Sequence, residues 1–182
     1  MKEKYLLHVC CAPCGIVVID ELRKTYDLAV LFYNPNIHPE EEYLKRKLGV
    51  IQACEEWEIP MLDGDYEPNT WEKAVSGLEY EPEGGQRCSA CFRFRLSRTA
   101  QIAAKEGFQF FGSTLTSGRN KRADVIHPIG EDVGTQCGVR FHAEDWKKCG
   151  RQERGRKMAD ERAVYRQNYC GCRYSMKHQI PE

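Results

Sequence analysis

Short apolar runs alternate with segments of helical spacing from the start of the chain to about residue 114. The runs at residues 6–9, 27–33, 59–62 and 108–114 predict β-strands. The segments between them, at residues 15–22, 39–58, 71–78 and 88–106, predict α-helices. Strands that alternate with helices in this way indicate βαβ crossovers. The pattern therefore predicts an α/β fold with a mostly parallel sheet and helices on both of its faces.

The segment at residues 39–58 also predicts which side of its helix is buried. Leu44, Leu48, Ile51 and Cys54 follow one another in steps that lie on one side of a helix. Pro39 suits a first helical turn, and the acidic residues after it favour the positive end of the helix. We expect this stripe to form the inner face of the helix, with Cys54 buried.

The pattern weakens after Thr116, and the last part of the chain is predicted to be irregular. Residues 145–167 are polar and predict a helix that packs through a few larger side chains. These are Trp146, Met158, Val164 and Tyr165. Repeats and low-complexity linkers are absent from the sequence, so we expect residues 1–182 to form a single domain.

The chain is neutral overall, but its charges are unevenly distributed. Lys plus Arg and Asp plus Glu both number 27, so net charge alone indicates no polyanionic partner. Residues 40–86 contain 4 basic and 13 acidic residues, whereas residues 87–122 contain 8 and 1 and residues 140–178 contain 11 and 5. The basic segments carry the later cysteine pairs, which favours a positive surface around the thiols. A merely solvated basic face is an equally open interpretation.

Ten cysteines in 182 residues require a choice between a secreted disulfide framework and an intracellular metal or redox site. The N-terminus favours the second, because His8 and Asp20 interrupt the first apolar region and no small-residue cleavage site follows it. No stretch approaches the roughly 18 apolar residues of a membrane span. We expect a cytoplasmic protein with mostly reduced thiols and no membrane partner.

Three thiols, those of Cys10, Cys11 and Cys14, follow the first predicted strand directly. A disulfide between the adjacent Cys10 and Cys11 is disfavoured, because such a bridge distorts the peptide that joins them. A metal cluster with several metal atoms can accept both thiolates. This spacing predicts a metal site.

A second pair, Cys88 and Cys91, begins the predicted helix at residues 88–106. Their spacing places both sulfurs on one helical face, near the positive helix end and several arginines that stabilise thiolates. Together with Cys10 and Cys11 they could bind a zinc ion or a [4Fe-4S] cluster. Adjacent cysteines fit one tetrahedral ion poorly, so iron-sulfur is favoured and zinc remains the alternative.

The role of Cys14 stays open on the sequence. Cys11 and Cys14 have the spacing of a thioredoxin-like redox motif after a strand. That motif, however, requires neither Cys10 nor the remote Cys88 and Cys91. Cys14 could also bind an additional metal ion beside the cluster.

Cys170-Gly171-Cys172 near the end of the chain suggests a different chemistry. One intervening glycine permits a small, strained disulfide ring, and strain makes such a bond easier to reduce. The pair could therefore store two electrons, although two ordinary thiols near a turn are the commoner case. We expect packing or surface roles for the lone cysteines, which are Cys54, Cys137 and Cys149.

Two further features give weaker signals. His8 precedes the first cysteines on a strand, and we expect it to be a core residue or to support the metal site. Residues 113–121 follow a predicted strand and could bind phosphate through hydroxyls, amides and charge. They are poor in glycine, which favours an ordinary polar loop.

Three motifs taken together resemble those of the QueH family of epoxyqueuosine reductases. They are Cys10-Cys11-Ala-Pro-Cys14, Cys88-Ser-Ala-Cys91-Phe-Arg and, at residues 165–172, Tyr-Arg-Gln-Asn-Tyr-Cys-Gly-Cys. The resemblance extends over residues 7–175. It implies a Rossmann-like α/β fold of the HUP type, and reduction of epoxyqueuosine to queuosine in tRNA. This is the last step in making that modified base, and in this family it proceeds without cobalamin.

The resemblance also implies roles for individual residues. Cys10, Cys11, Cys88 and Cys91 would bind a [4Fe-4S] cluster, while Cys170 and Cys172 would form a redox-active disulfide. The partners would be tRNA, recognised at the anticodon loop that carries the modified base, and an electron donor that the sequence does not identify. The basic segments would then bind phosphates.

The chemistry of the reaction agrees with two kinds of redox group. Removal of an epoxide oxygen as water needs two electrons and two protons, whereas a cluster passes one electron at a time. A nearby dithiol reconciles the two counts, and the cluster, or an ion held partly by Cys14, could polarise the epoxide oxygen.

Two alternative functions belong to other classes. An iron-sulfur tRNA-thiolating enzyme should carry a Ser-Gly-Gly type of pyrophosphate loop after the first strand, where this chain has residues 10–14. A zinc-stabilised RNA-binding module would not need a labile Cys-Gly-Cys pair.

Overall fold

The computed structural model describes residues 1–176; residues 177–182, which include His178, lie outside the described part. Its strands are β1 (Lys4–His8), β2 (Asp27–Phe32), β3 (Met61–Asp63), β4 (Phe110–Ser113) and β5 (Arg140–Phe141). They form a five-stranded sheet in the order β3-β2-β1-β4-β5, and every neighbouring pair is parallel. This is the strand order of a Rossmann-like fold.

Five helices connect these strands, and two more follow β5 in the described part of the chain. They are α1 (Ala12–Thr25), α2 (Glu40–Glu56), α3 (Pro68–Ala74), α4 (Gln86–Lys105), α5 (Ala123–Cys137), α6 (Arg151–Glu161) and α7 (Arg173–Met176). A 3-10 turn (Thr114–Ser117) follows β4 directly. The strands and helices predicted before residue 114 all form, with their ends shifted by a few residues.

Alternate side chains of the central strand β1 face opposite sides of the sheet and enter two apolar cores. Tyr5 and Leu7 pack with α1 and α2 on one side. Leu6 packs with α4 and α5 on the other side. Because helices cover both faces, the three central strands β1, β2 and β4 are mostly buried and consist of nearly continuous apolar residues. The predicted α/β fold class is therefore confirmed.

The chain leaves β1 towards β2 and β3 on one side and later returns to build β4 and β5 on the other. Where strand order reverses in this way, the connections that follow the two central strands separate and leave a crevice at their carboxyl ends. The loop at residues 9–11 follows β1, and the 3-10 turn follows β4. The fold thus places the first cysteines in that crevice.

The prediction of the buried face of α2 is wrong for two of its residues. Leu44 and Leu48 are 53% and 56% exposed, although Cys54 is buried as predicted. The buried side of α2 includes Glu42 and Arg46, which form an ion pair with 2.7 Å between Nε and Oε1. Because this face contains a buried charge pair, a search for an apolar stripe selects the neighbouring face.

The sequence pattern did not predict α5 or β5. Gly130 and Gly134 make α5 a poor helix by propensity. Both glycines allow close packing, since a Cβ atom would lie 2.5 Å from the Phe141 ring at Gly130 and 2.6 Å from the Val139 carbonyl at Gly134. Tertiary contact therefore stabilises a helix that its local sequence disfavours.

The polar helix predicted at residues 145–167 is shorter in the structure, where α6 covers Arg151–Glu161. Trp146 is buried, and Met158 and Val164 pack partly buried against the core, as predicted. Tyr165 does not pack in this way, because it is 43% exposed. Residues 162–172 contain neither helix nor strand, so the predicted irregular C-terminal segment is confirmed.

Within residues 1–176, none of the helices has the length and apolar character that crossing a membrane would require.

Candidate metal and redox centre

Three cysteine sulfurs meet where β1 passes into α1. The Sγ atoms of Cys10, Cys11 and Cys14 all lie within 4.8 Å of one another. Cys10 and Cys11 are buried in the connection, and Cys14 lies partly buried in the first turn of α1, directly after Pro13. All ten cysteines are free thiols. The arrangement provides three soft ligands for one metal centre.

Side chains from neighbouring strand ends hold this cysteine loop. The Asn34 side-chain amide, beyond β2, donates to the Val9 carbonyl at 2.9 Å. The Ser117 hydroxyl, in the 3-10 turn, donates to the Cys14 carbonyl at 3.2 Å. Contacts from both sides of β1 therefore fix the backbone that carries the thiols.

Hydrogen bonds among the three thiols shift their pKa values in different directions. Hydrogen bonds from Cys11 and Cys14 lower the pKa of Cys10. The same hydrogen bond with Cys10 raises the pKa of Cys11 to about 12, and hydrogen bonds with both neighbours raise the pKa of Cys14. The sulfur of Cys10 is thus the first to ionise, and a thiolate is the form that binds metal.

His8 is fully buried at the end of β1, two residues before Cys10. Its Nε2 donates to the Tyr33 carbonyl at 3.0 Å, which leaves Nδ1 to accept from the Ser113 hydroxyl at 2.8 Å. Burial lowers the pKa of His8 to about 4, so the ring is neutral. Both ring nitrogens are used in structural contacts, as expected for a supporting residue and not for a metal ligand.

The second cysteine pair lies in the first turns of α4. Cys88 accepts a hydrogen bond at 3.2 Å from the Gly84 backbone amide. Cys91 is buried with Cys172 in a small cluster that also contains Trp71 and Val75. The group of sulfurs within 4.8 Å of one another does not include Cys88 or Cys91. The structure therefore brings Cys91 to the C-terminal cysteine pair and keeps Cys10 and Cys11 with Cys14.

Arg95 lies between these cysteine groups. Its side chain is fully buried, with 1% of the residue exposed. Nε donates to the Cys91 carbonyl and Nη1 to the Asn34 side-chain oxygen, both at 3.4 Å. Burial opposes the charge, but the thiols of Cys91, Cys10 and Cys170 outweigh burial and raise the pKa of Arg95. This guanidinium is therefore a buried cation among sulfurs.

The C-terminal cysteines are held by α2. Arg46 donates from Nη1 to the Cys170 carbonyl at 3.0 Å and from Nη2 to the Tyr169 carbonyl at 3.2 Å. The carbonyl of Gly171 accepts from the His38 amide at 2.8 Å. Gly171 has a φ of +117°, and a Cβ atom there would lie 2.9 Å from Arg46 Nη1. Glycine is thus required for this close approach.

Two side chains connect the same segment to neighbouring groups. The Tyr165 hydroxyl donates to Glu42 Oε2 at 2.7 Å, and the Tyr169 hydroxyl donates to the His38 carbonyl at 2.7 Å. Gln167 Nε2 lies 2.9 Å from Cys11 Sγ and donates to it. The last contact brings the C-terminal segment directly to the first cysteine loop.

A cavity of about 750 Å³ opens beside the thiols of Cys10, Cys14 and Cys170. Its lining is rich in cations, against one carboxylate, that of Glu83. The cations are Arg46, Arg119, Lys121, Arg151, Arg156 and Arg166. The predicted positive surface around the thiols therefore exists, and residues 117–121, which resembled an ordinary polar loop, form part of it.

Sequence reasoning missed Arg46 and the contact of Gln167 with Cys11, and it counted Arg95 only as one of several arginines near the second cysteine pair. Arg95 follows Cys91 by one helical turn, and Gln167 lies in the terminal motif, so their positions in the sequence were available signals. Their burial and their contacts with other segments could not be read from spacing. Arg46 was missed because it lies with its partner Glu42 on α2, where the apolar residues predicted a different inner face.

Comparison with known proteins places these residues in a family. The sequence profile of the family described as "Epoxyqueuosine reductase QueH" matches residues 5–178. The epoxyqueuosine reductase QueH of Streptococcus pyogenes serotype M1 is 40% identical over 185 residues, covering 98% of this chain and 72% of the relative. The protein of the same name from Thermotoga maritima is 37% identical, covering 94% of this chain and 89% of the relative.

A search of solved structures finds the U34-tRNA thiolase NcsA from Methanococcus maripaludis with its [4Fe-4S] cluster. It is 13% identical in sequence and superimposes with a TM-score of 0.47. The match covers 88% of this chain and 66% of that chain.

Proposed function

The chain belongs to the QueH family of epoxyqueuosine reductases, and we propose that it reduces epoxyqueuosine to queuosine in tRNA through a [4Fe-4S] cluster and a redox-active cysteine pair. One observation supports the proposal most directly: the sulfurs of Cys10, Cys14 and Cys170 line the same cavity. A metal-binding thiol group and a second thiol group can therefore act on one substrate. The tRNA-thiolating alternative is not favoured, because the matching family consists of reductases.

The donor set fits an iron-sulfur cluster. Thiolate sulfur is the ligand that such clusters use, and the free sulfurs of the adjacent Cys10 and Cys11 lie within 4.8 Å of each other. We assign Cys10 and Cys11, together with Cys88 and Cys91 of α4, as the ligands. Cys14 is left to hold an additional metal ion beside the cluster.

When bound, the cluster supplies single-electron transfer and a Lewis-acidic iron that can polarise an epoxide oxygen. The protein's own residues do the rest. Arg46 orients Cys170 through its backbone carbonyl, and Gln167 stabilises negative charge on Cys11 through a hydrogen bond. The cations of the cavity attract the polyanionic substrate.

The electron count balances with the C-terminal pair. Cys170 and Cys172 lose two electrons and two protons as the S–S bond between them forms. The epoxide loses both C–O bonds, its oxygen leaves as water with those protons, and a carbon-carbon double bond forms. An external electron donor then reduces the disulfide for the next turnover.

The substrate carrier is tRNA, and the reaction belongs in the cytoplasm, where tRNA is modified. In the anticodon loop the bases are unstacked and accessible to a protein cavity. Residues 1–182 as a single metal-binding catalytic domain remain a prediction.

Anaerobic purification followed by iron, sulfide and zinc analysis and an electronic spectrum tests the metal assignment. We expect about four iron and four sulfide per chain with broad absorption near 400 nm, the signature of a [4Fe-4S] centre. Protein that binds only zinc yet still reduces the epoxide would exclude the cluster. Zinc without reductase activity would instead favour the RNA-binding module.

The cysteine pair is tested by Cys170→Ser. We expect a loss of multiple-turnover activity with the iron content unchanged, because Cys170 is assigned to electron storage and not to metal binding. Cys149→Ser is the matched control, since Cys149 is exposed and lies outside the cavity lining. Equal turnover by the two variants would remove the dithiol from the mechanism.

A further inference from the structure

The cations that line the cavity differ in whether a carboxylate already neutralises them. Three of the six form ion pairs: Arg46 with Glu42, Arg151 with Glu21 and Glu144, and Arg166 with Asp160. The other three, Arg119, Lys121 and Arg156, pair with no carboxylate in the described part of the chain. Their charge is available to a ligand.

These three cations come from two segments of the chain. Arg119 and Lys121 belong to the segment after the 3-10 turn, and Arg156 projects from α6. Burial disfavours the charge of Lys121, but Cys170 and Cys10 outweigh burial and raise its pKa, so the ammonium is retained next to the thiols. At about 750 Å³, the cavity is within the usual range for ligand sites.

We propose that Arg119, Lys121 and Arg156 bind the phosphodiester backbone on either side of the reacting nucleoside, which then extends towards Cys10, Cys14 and Cys170. The inference rests on the proposed function and deepens it by naming the RNA-binding site. Phosphates fix the register of the RNA, while the cavity between them receives the base. The positive lining also accelerates association with a polyanion.

Arg156 and Lys157 provide a matched test. They are neighbours on α6, both exposed, but only Arg156 lines the cavity. Binding of an anticodon stem-loop RNA to the metal-loaded protein is measured by fluorescence anisotropy over a series of salt concentrations. For Arg156→Gln we expect about fivefold weaker binding and a salt slope smaller by about one unit, the loss of one phosphate contact. Lys157→Gln should match the wild type.

Two failures of this test have different meanings. Identical affinities and salt slopes for Arg156→Gln and Lys157→Gln, with the wild type binding RNA, would overturn the cavity assignment and leave the reductase function intact. Wild-type protein that binds no RNA would overturn the proposed tRNA substrate as well.

A second inference concerns Arg95, whose burial is an independent observation. A buried charge is costly unless an opposite charge or strong hydrogen bonds compensate it. Arg46 has Glu42, but Arg95 forms no ion pair within residues 1–176. Its two hydrogen bonds, to the Cys91 carbonyl and the Asn34 amide oxygen, are both 3.4 Å long and both go to neutral groups. A compensating anion is therefore missing from the side chains around it.

The thiols whose charge acts on Arg95 are those of Cys91 and Cys10, one from each proposed ligand pair, and of Cys170. We infer that Arg95 is the counter-charge of the thiolate-bound metal centre, placed between Cys91 of α4 and the loop that carries Cys10. Asn34 completes the link, because its amide nitrogen donates to the Val9 carbonyl at the start of that loop. A fixed positive charge stabilises the reduced, more negative state of a cluster, so Arg95 raises its reduction potential.

Arg95→Met tests this, because methionine is unbranched and neutral. In protein that retains its iron, we expect the reduction equilibrium, followed by a spectroscopic redox titration, to shift at least tenfold against reduction. For one electron that is a potential about 59 mV more negative. Arg95→Lys keeps the charge and should recover most of the shift. An unchanged potential in Arg95→Met with full iron content would overturn the inference.

Asn34→Asp keeps the test decisive if Arg95→Met does not fold. The substitution is nearly isosteric and places a carboxylate against Arg95 Nη1, where it neutralises the guanidinium. It also removes the amide donor to the Val9 carbonyl, so the potential is compared only in protein with full iron content. The potential should again become more negative. A potential equal to that of the wild type in Asn34→Asp would contradict the role of Arg95.

Discussion

The first cysteine loop and the C-terminal segment meet at one cavity but are held in different ways. The loop at residues 9–11 lies between β1 and α1, and contacts from the ends of β2 and β4 hold it on both sides. Residues 162–172 contain neither helix nor strand, and α2 holds them mainly through side chains of Glu42 and Arg46. A metal site needs fixed ligands, whereas a dithiol that opens and closes needs a segment able to move. The difference in anchoring matches the two proposed roles.

Removal of one thiol from the first cysteine loop is expected to have the largest effect. We expect Cys11→Ala to lose most of its iron, from about four atoms per chain to below one, together with its reductase activity. Cys10 and Cys11 are assigned as two of the four cluster ligands, and Cys14 is the one other thiol in the same loop that could replace a lost ligand. Iron content after anaerobic reconstitution is the measurement.

Cys14→Ala is the control, since Cys14 belongs to the same sulfur group but is not assigned to the cluster. It should keep its iron-sulfur absorption and lose only the additional metal ion. Loss of the cluster in Cys14→Ala, with retention in Cys11→Ala, would mean that the two residues have exchanged roles.

The next largest effect is expected where the C-terminal segment is anchored. Arg46→Met leaves Glu42 buried without its partner and removes two hydrogen bonds to residues 169 and 170. Breaking a buried ion pair in this way costs about 3–5 kcal/mol. We expect a corresponding fall in the free energy of unfolding, measured in urea on the metal-free protein.

A double variant separates the effect of the buried ion pair on stability from the effect of the hydrogen bonds that hold residues 169 and 170. In Glu42→Leu with Arg46→Met, the buried pair is replaced by apolar side chains, so most of the stability should return. The hydrogen bonds to the C-terminal carbonyls stay absent, and turnover should remain low. Full recovery of turnover would show that α2 does not position the cysteine pair.

Features that depend on the local sequence could be predicted, whereas contacts between distant segments could not. The strands and helices before residue 114, and the place of Cys10 at a strand end, follow from apolar periodicity and chain order. These are local properties of the sequence. The exposed Leu44 and Leu48 show where local reasoning fails, because the buried face of α2 includes Arg46, whose hydrogen-bond partner Cys170 is more than a hundred residues away.

The candidate site could be predicted only in part. Cysteine spacing pointed to residues 10, 11 and 14, whose sulfurs meet in the structure, since the intervals between thiols are informative. The roles of Cys88 and Cys91 as ligands, and of Cys170 and Cys172 as a redox pair, stay predictions. Arg95 was predicted only as one of several arginines that stabilise thiolates, because spacing does not show which arginine of a basic helix the fold buries. The helix α5 was missed for a similar reason, because its glycines disfavour a helix and their close packing against Phe141 and Val139 appears only in the fold.

The smallest effect is expected for the outermost contact of the C-terminal segment. Tyr165→Phe removes the hydrogen bond to Glu42, and because Tyr165 is 43% exposed, we expect a loss of only about 1 kcal/mol in unfolding free energy. Tyr80→Phe is the control, since Tyr80 is 99% exposed and should change nothing. Redox titration of the Cys170–Cys172 pair in both variants completes the test. If several side-chain contacts together hold the C-terminal segment, Tyr165→Phe should change the dithiol potential slightly. A potential and a stability equal to those of Tyr80→Phe would show that Arg46 anchors the segment without Tyr165.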